Sequence, residues 1–309
     1  MRCKSLKIRK LSFWLIIAIA IVAANLSASE AEGAAGSRFV VERRGVSDGR
    51  PVVFIPGLAS AGAVWDAAAA GIIDGHDVHI VTLAGFAGVP AVDPIGPYIE
   101  RAVGSLAVYF DEEGLQDVVI VGHSMGAQIS LQLAAARPDA VGQVLVVDSA
   151  PFYAALFNPT VTPEAAAQYG AQLGMRLAAT SQEQFLAFAR QGIAVQSITE
   201  SGQERVMGYM ETSDQAAVAQ AMGDVAGSDF RPILAKVSAP VTVLAAWSEG
   251  APYSSDQLRA IYEGQYAGLT DVDVRVIANS RHFIMLDQPD AFANALGGVL
   301  TADRGGRDR

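Results

Sequence analysis

Five consecutive residues carry the strongest chemical signal in this 309-residue sequence. Gly122-His123-Ser124-Met125-Gly126 follows the apolar run Val118-Val119-Ile120-Val121 directly and precedes a helical pattern. A serine at a tight junction between a buried strand and a helix is forced into a strained backbone conformation. The flanking glycines remove side chains that would collide with the neighbouring strand and helix. Its hydroxyl then stands out at the carboxyl edge of a sheet, beside a helix N-terminus whose free N–H groups favour developing negative charge. That is the setting of a nucleophile attacking a carbonyl. The plain alternative for Ser124 is a helix-capping serine, and the strand-to-helix context favours the nucleophile. A hydroxyl is a poor nucleophile at neutral pH and needs a base. The chain offers four histidines: His76, His79, His123 and His282.

Such a serine has to be held by a sheet, and the sequence contains the strands for one. Arg38 to Arg43 and Pro51 to Ile55 read as strands around a Gly-containing turn, and Val78 to Leu83, Val118 to Val121, Val144 to Val147, Val241 to Ala246 and Val272 to Ile277 follow. These runs are β-branched and mostly apolar, as strands buried on both faces are. Helical patterns lie between them at Gly62 to Ala70, Tyr98 to Phe110, Met125 to Arg137, Ser255 to Tyr266 and Pro289 to Leu300. Strand and helix in alternation mean an α/β fold, a mostly parallel sheet with helices on both faces.

One connection breaks the alternation. Ser149 to Ala239 contains no convincing strand, and a structureless loop of that length is implausible in a compact domain. Helix-start signals at Thr162-Pro163-Glu164, Ser181-x-x-Gln184 and Thr212-x-x-Gln215 predict an inserted helical cap over residues 151–238, splitting the core into 38–150 and 239–301. Its methionines and aromatics, among them Phe152, Tyr153, Phe157, Met175, Phe185, Phe188, Met207, Tyr209 and Met210, are expected mostly to pack within the cap, with a few walling an apolar pocket. No internal repeat is visible, and residues 302–309 read as a disordered tail.

Composition narrows the function classes. The chain is 51% hydrophobic and carries a net charge of −10, which gives no basic footprint for nucleic acid. Its single cysteine, Cys3, excludes an internal disulfide and paired-cysteine zinc sites. No Gly-rich dinucleotide motif, phosphate-binding loop or metal-ligand cluster appears, so no cofactor is implied. Arg2, Lys4, Lys7, Arg9 and Lys10 form a basic head before an apolar run from Leu11 to Ala24 and small residues around Ala28. That order predicts a signal peptide over residues 1–28 and export to the periplasm or outside the cell. The apolar run, about 14 residues, is short of the ~20 needed to span a bilayer, so an uncleaved anchor is the lesser alternative and no other membrane contact is expected.

From roughly Val52 to Leu300 the chain resembles the α/β-hydrolase family. Besides the serine turn, Phe54-Ile55-Pro56-Gly57-Leu58 is similar to the family's strand ending in His-Gly plus one residue, with Pro56 in place of the histidine. The resemblance implies an oxyanion hole made by the backbone N–H groups of Leu58 and Met125. Pro56 does not impair it, because the donor is a backbone group further on. It also implies a general base in Ser280-Arg281-His282-Phe283-Ile284, which is similar to the family's histidine loop before the last helix. Among the other histidines, His123 is expected to be structural, its side chain directed away from that of Ser124, and His76 and His79 to be solvated. Two acids compete to orient His282. The family's usual position falls in Trp247-Ser248-Glu249-Gly250, where Glu249 is nearby but the habitual Gly-x-x-Asp is missing. Some members place the acid at the end of the preceding strand, where this chain has Asp148. A carboxylate ending an apolar strand is costly without a partner, and His282 would be that partner. Asp148 is the preferred acid, Glu249 the alternative, and Asp256 a remoter one. Both leading candidates keep the order serine, acid, histidine.

These residues predict a serine hydrolase that cleaves a small or medium, mainly apolar ester, thioester or lactone through an acyl-enzyme. Phe86, Phe152, Tyr153, Phe157 and Trp247 are expected to line its substrate pocket under the cap, with the loop Ala84 to Gly88 shaping one wall. An acyltransferase using the same groups, and a low-turnover binding protein on the same scaffold, are the rival readings.

Overall fold

The computed structural model describes residues 37–302, so the leader expected at 1–28 and nearly all of the expected tail lie outside the described residues. Seven strands form one sheet: β1 (Phe39–Gly45), β2 (Arg50–Ile55), β3 (His76–Leu83), β4 (Val118–His123), β5 (Val141–Val147), β6 (Val241–Ala246) and β7 (Val272–Ile277). Their spatial order is β1-β3-β2-β4-β5-β6-β7. Only β1 runs antiparallel to its neighbour, and every other pairing is parallel.

Helices cover both faces, as the buried runs of β2, β4 and β5 require. They are α1 (Asp66–Ala70), α2 (Tyr98–Glu112) and α3 (Met125–Ala136), then α4 (Ala154–Phe157), α5 (Pro163–Ala179), α6 (Gln182–Gly192), α7 (Glu200–Glu211) and α8 (Gln215–Gly227), and finally α9 (Ser255–Gln265), α10 (Ile284–Asp287) and α11 (Pro289–Thr301). Alternate residues of one strand feed opposite faces. Val118 and Ile120 of β4 join a core with Leu106 of α2, Ile129 of α3 and Tyr262 of α9. Val119 and Val121 join a second core with Trp65 and with Phe292 of α11.

The five helices α4 to α8 occupy the connection between β5 and β6. Thr162 caps α5 by accepting the Ala165 N–H at 3.2 Å, and Ser181 caps α6 by accepting the Gln184 N–H at 3.3 Å. The start expected at Thr212 is not one. Thr212 closes α7, its hydroxyl donating back to the Gly208 and Tyr209 carbonyls, and α8 is capped instead by Asp214, whose carboxylate accepts the Ala217 N–H at 2.8 Å. Asp214 outcompetes Thr212 because it stands one residue ahead of the first helical turn. Packing within this segment also departs from expectation, since Phe185 is buried but Phe157, Met175 and Phe188 are exposed.

Glycines set the approach of α5 and α8. A Cβ on Gly170 would stand 2.4 Å from the Gly223 carbonyl oxygen, and one on Gly223 would stand 2.9 Å from that of Gly170. Backbone therefore meets backbone at this crossing, with Gly174 and Gly227 one turn further along each helix. From α8, Asp224 reaches the start of α2 and accepts the N–H groups of Tyr98 at 2.6 Å and Ile99 at 3.1 Å. It thus caps a helix whose own preceding residue, Pro97, has no side chain able to do so.

Candidate active site

Ser124 sits between β4 and α3 with φ 53° and ψ −121°, a conformation outside the regions open to ordinary residues. Its N–H donates to the Val147 carbonyl at 3.0 Å, which carries the β4–β5 pairing into the turn. The two flanking glycines are required by contact. A Cβ on Gly122 would come within 2.3 Å of the Ser130 hydroxyl, and one on Gly126 within 2.3 Å of the Ile55 carbonyl oxygen. Met125 opens α3, so its N–H has no acceptor within the helix. The chain leaving β2 is pressed against the same turn: a Cβ on Gly57 would stand 3.0 Å from Cβ of Ser124 and 2.8 Å from Nδ1 of His123. Leu58 follows Gly57 directly.

The acid that meets His282 is Asp148. Its Oδ2 lies 2.7 Å from His282 Nδ1, with the two side chains 14% and 27% exposed. Its Oδ1 accepts two further donors, the Ala246 N–H at 2.8 Å and the Tyr262 hydroxyl at 3.1 Å. A carboxylate at the end of an apolar strand is thereby satisfied on both oxygens. Glu249 is exposed in the turn after β6, and Asp256 is exposed in the first turn of α9. Neither hydrogen-bonds to His282.

The histidine loop is held from three sides. His123 Nε2 donates to the His282 carbonyl at 2.9 Å, and the two imidazole rings lie 4.5 Å apart. The chain after α6 backs the loop: Phe283 N–H donates to the Gln196 carbonyl at 2.9 Å. Asp287 accepts from Arg281 N–H at 2.8 Å, from Ser197 Oγ at 2.5 Å and from Ile198 N–H at 2.9 Å. With Nδ1 of His282 committed to Asp148, Nε2 is the nitrogen left for proton exchange. No hydrogen bond joins Ser124 Oγ to His282 among the described residues. Contacts of this kind commonly tighten only when substrate is bound.

His123 is fully buried, and burial holds its imidazole well below the usual histidine range, with His282 adding to the effect and the bond to the His282 carbonyl opposing it. It remains neutral. His79 corrects an expectation, being wholly buried within β3 rather than solvated. Its Nδ1 is 2.6 Å from the Tyr109 hydroxyl and its Nε2 is 3.1 Å from Asp77, and burial lowers its pKa. The alternation of β3 turns His79 inward, where Asp77 and Tyr109 compensate the loss of water. His76 is partly buried at the strand's start, with Nδ1 3.1 Å from the Ile72 carbonyl.

The five residues expected to line the pocket are dispersed. Phe86 is fully buried and stacks on Tyr98 with centroids 5.0 Å apart, and Phe152 is fully buried beneath the Arg231 guanidinium. Phe157 is 72% exposed, 5.0 Å from the ring of Tyr153. Tyr153 is half-buried; burial, then Tyr169 and Asp148, raise the pKa of its hydroxyl. Trp247 ties its own loop, donating from Nε1 to the Tyr253 carbonyl at 2.9 Å. A cavity of about 560 Å³ lies elsewhere, between α5 and α8, and none of these five residues lines it. Sequence reasoning missed Tyr262, Asp287 and the segment at 195–198. The spacing of Leu258, Tyr262 and Tyr266 marks the inner face of α9, but nothing in it names the acid that Tyr262 meets. Among the described residues no His, Cys, Asp and Glu cluster has a metal-binding arrangement, and no helix is long and apolar enough to cross a membrane.

Comparison with known proteins adds family information to this geometry. A family model described as the alpha/beta hydrolase family matches residues 52–295. Lipase LipV of Mycobacterium tuberculosis is 34% identical over 110 residues, 36% of this chain and 41% of that protein. A pimeloyl-[acyl-carrier protein] methyl ester esterase of Aeromonas hydrophila is 27% identical over 153 residues, 49% of this chain and 58% of the other. The chain thus spans about half the length of these relatives. Among solved structures, an esterase from Exiguobacterium antarcticum superposes with a TM-score of 0.71 at 16% identity, over 87% of this chain and 97% of the other, a likeness of fold.

Proposed function

The chain belongs to the alpha/beta hydrolase family, and on that premise we propose that it is an exported serine hydrolase of carboxylic esters working through Ser124, His282 and Asp148. The observation that carries the reading is the 2.7 Å contact between His282 Nδ1 and Asp148 Oδ2, on a loop tied through His123 to the strained serine turn. The partial matches to a lipase and a methyl ester esterase support ester chemistry.

In this mechanism His282 Nε2 takes the Ser124 proton as Oγ attacks the ester carbonyl, and Asp148 stabilises the imidazolium that forms. The N–H groups of Leu58 and Met125 hold the oxyanion. The imidazolium then protonates the leaving alcohol. Water, deprotonated by the same nitrogen, attacks the acyl-enzyme, and collapse of the second tetrahedral intermediate returns the proton to Ser124 and releases the acid. Export rests on the leader pattern of residues 1–28.

The test is a panel of p-nitrophenyl esters of rising chain length, run beside lactones and thioesters, on wild-type and Ser124→Ala protein. Turnover together with fluorophosphonate labelling, both lost in Ser124→Ala, is the expected result. Full ester turnover in that variant overturns the assignment. Acyl transfer to an added alcohol exceeding hydrolysis points to a transferase. Export is checked by the N-terminal residue of protein recovered outside the cytoplasm.

A further inference from the structure

We infer that Tyr262 is a positioning residue of the reaction, its hydroxyl fixing the Asp148 carboxylate that orients His282. The inference rests on the triad reading above. Asp148 leaves β5 at φ 46°, where side-chain-bearing residues are rarely found, so the strand alone does not aim the carboxylate. Three donors do. His282 Nδ1 meets Oδ2, while Ala246 N–H from the end of β6 and the Tyr262 hydroxyl from α9 meet Oδ1 at 2.8 Å and 3.1 Å. One turn on, at the residue that caps the end of α9, the Tyr266 hydroxyl donates to the Ser149 carbonyl at 2.7 Å. Two hydroxyls four residues apart on one helix face therefore grip two consecutive residues at the end of β5. Both rings are buried. Burial first, and the Asp148 charge next, push both hydroxyls well above the usual tyrosine range, so each stays a donor at any working pH.

The surroundings leave His282 as the reporter of what happens to this carboxylate. The titratable groups around the pair are Tyr262 from α9, Tyr266 just past its end, Tyr153 from the chain after β5, and the neutral His123 from the serine turn. None of them carries charge near neutrality. The Tyr262 hydroxyl draws charge away from the oxygen facing the imidazole. Without it, Oδ1 keeps only the Ala246 N–H, so the carboxylate is less firmly aimed at His282 and presents more negative charge to its imidazole.

The experiment is the pH dependence of kcat and kcat/KM for p-nitrophenyl butyrate with Tyr262→Phe, beside wild type, Ser124→Ala and Tyr266→Phe. In Tyr262→Phe the midpoint of the acidic limb moves up by about half a pH unit and kcat falls by about tenfold, while KM changes by less than about twofold. Tyr266→Phe lowers the thermal midpoint and leaves the limb where it is in wild type. A fluorinated tyrosine at position 262, a stronger donor of the same shape, moves the limb the other way, and it tests the inference even if Tyr262→Phe fails to fold. An acidic limb that stays at the wild-type position, or moves opposite to these directions, overturns the inference. Activity surviving in Ser124→Ala defeats the underlying triad reading instead, so the two failures are separable.

Discussion

His123 and His282, 159 residues apart in sequence, are joined ring to backbone: Nε2 of the first donates to the carbonyl oxygen of the second at 2.9 Å. The residue just before the strained serine therefore holds the loop that bears His282. Replacing His123 by Phe keeps a ring but strands the His282 carbonyl. A cost of about 1–3 kcal/mol in stability is expected, with a larger proportional loss of ester turnover than of folded protein. Urea midpoints measured beside kcat check it, and unchanged turnover at reduced stability would contradict the link.

Asp148 and Glu249 can be told apart by removing charge without changing shape. Asp148→Asn leaves His282 Nδ1 without its anionic partner and is expected to reduce kcat by orders of magnitude. Glu249→Gln alters an exposed turn and is expected to leave kcat within about twofold of wild type. Steady-state kinetics on the two proteins decide it, and the opposite ranking would move the acid to the later loop.

Acid should weaken the fold before it protonates most carboxylates. Burial lowers the pKa of both His79 and His123 from the ordinary 6.5. Below that value the unfolded chain binds protons that the folded chain excludes. The contribution is thus complete at higher pH and declines as the pH falls through about 6.5, by up to about 1.4 kcal/mol per pH unit for each histidine. Urea midpoints taken between about pH 7.5 and pH 5 should fall steadily. A flat profile would show that neither histidine is held neutral.

The crossing of α5 and α8 has no room for a side chain at Gly170. Gly170→Val is expected to force the helices apart and to cost at least about 2 kcal/mol, read as a lowered thermal midpoint. Gly192→Ala, at a glycine with open space around it, serves as the comparison and should not destabilise.

Much of this architecture is legible in the chain because parallel strands buried on both faces are written as unbroken apolar runs. Val241–Ala246 and Val272–Ile277 appear in the structure with the bounds read from the sequence. The serine turn is legible for a related reason, since Gly122 and Gly126 record backbone contacts that no other residue allows. What escaped depends on partners distant in sequence. His79 looks solvated beside Asp77 until Tyr109 of α2 is brought over it. Helix α7, with its polar opening Glu200 to Arg205, has no clear apolar stripe to announce it. Tyr262 reads as one more core aromatic on α9, and only the folded sheet shows that it ends at Asp148.

The carboxylate that meets His282 comes from the end of β5, and this relieves the stretch after β6 of that task. The backbone at Trp247 stays tied to the sheet, its N–H donating to the Ile277 carbonyl and its carbonyl accepting the Ser280 N–H, while its indole N–H holds the Tyr253 carbonyl. Residues 249 to 253 are exposed. Residues 249 to 252 of this short surface segment are accordingly where the molecule should accept a grafted peptide without disturbing the Asp148–His282 pair.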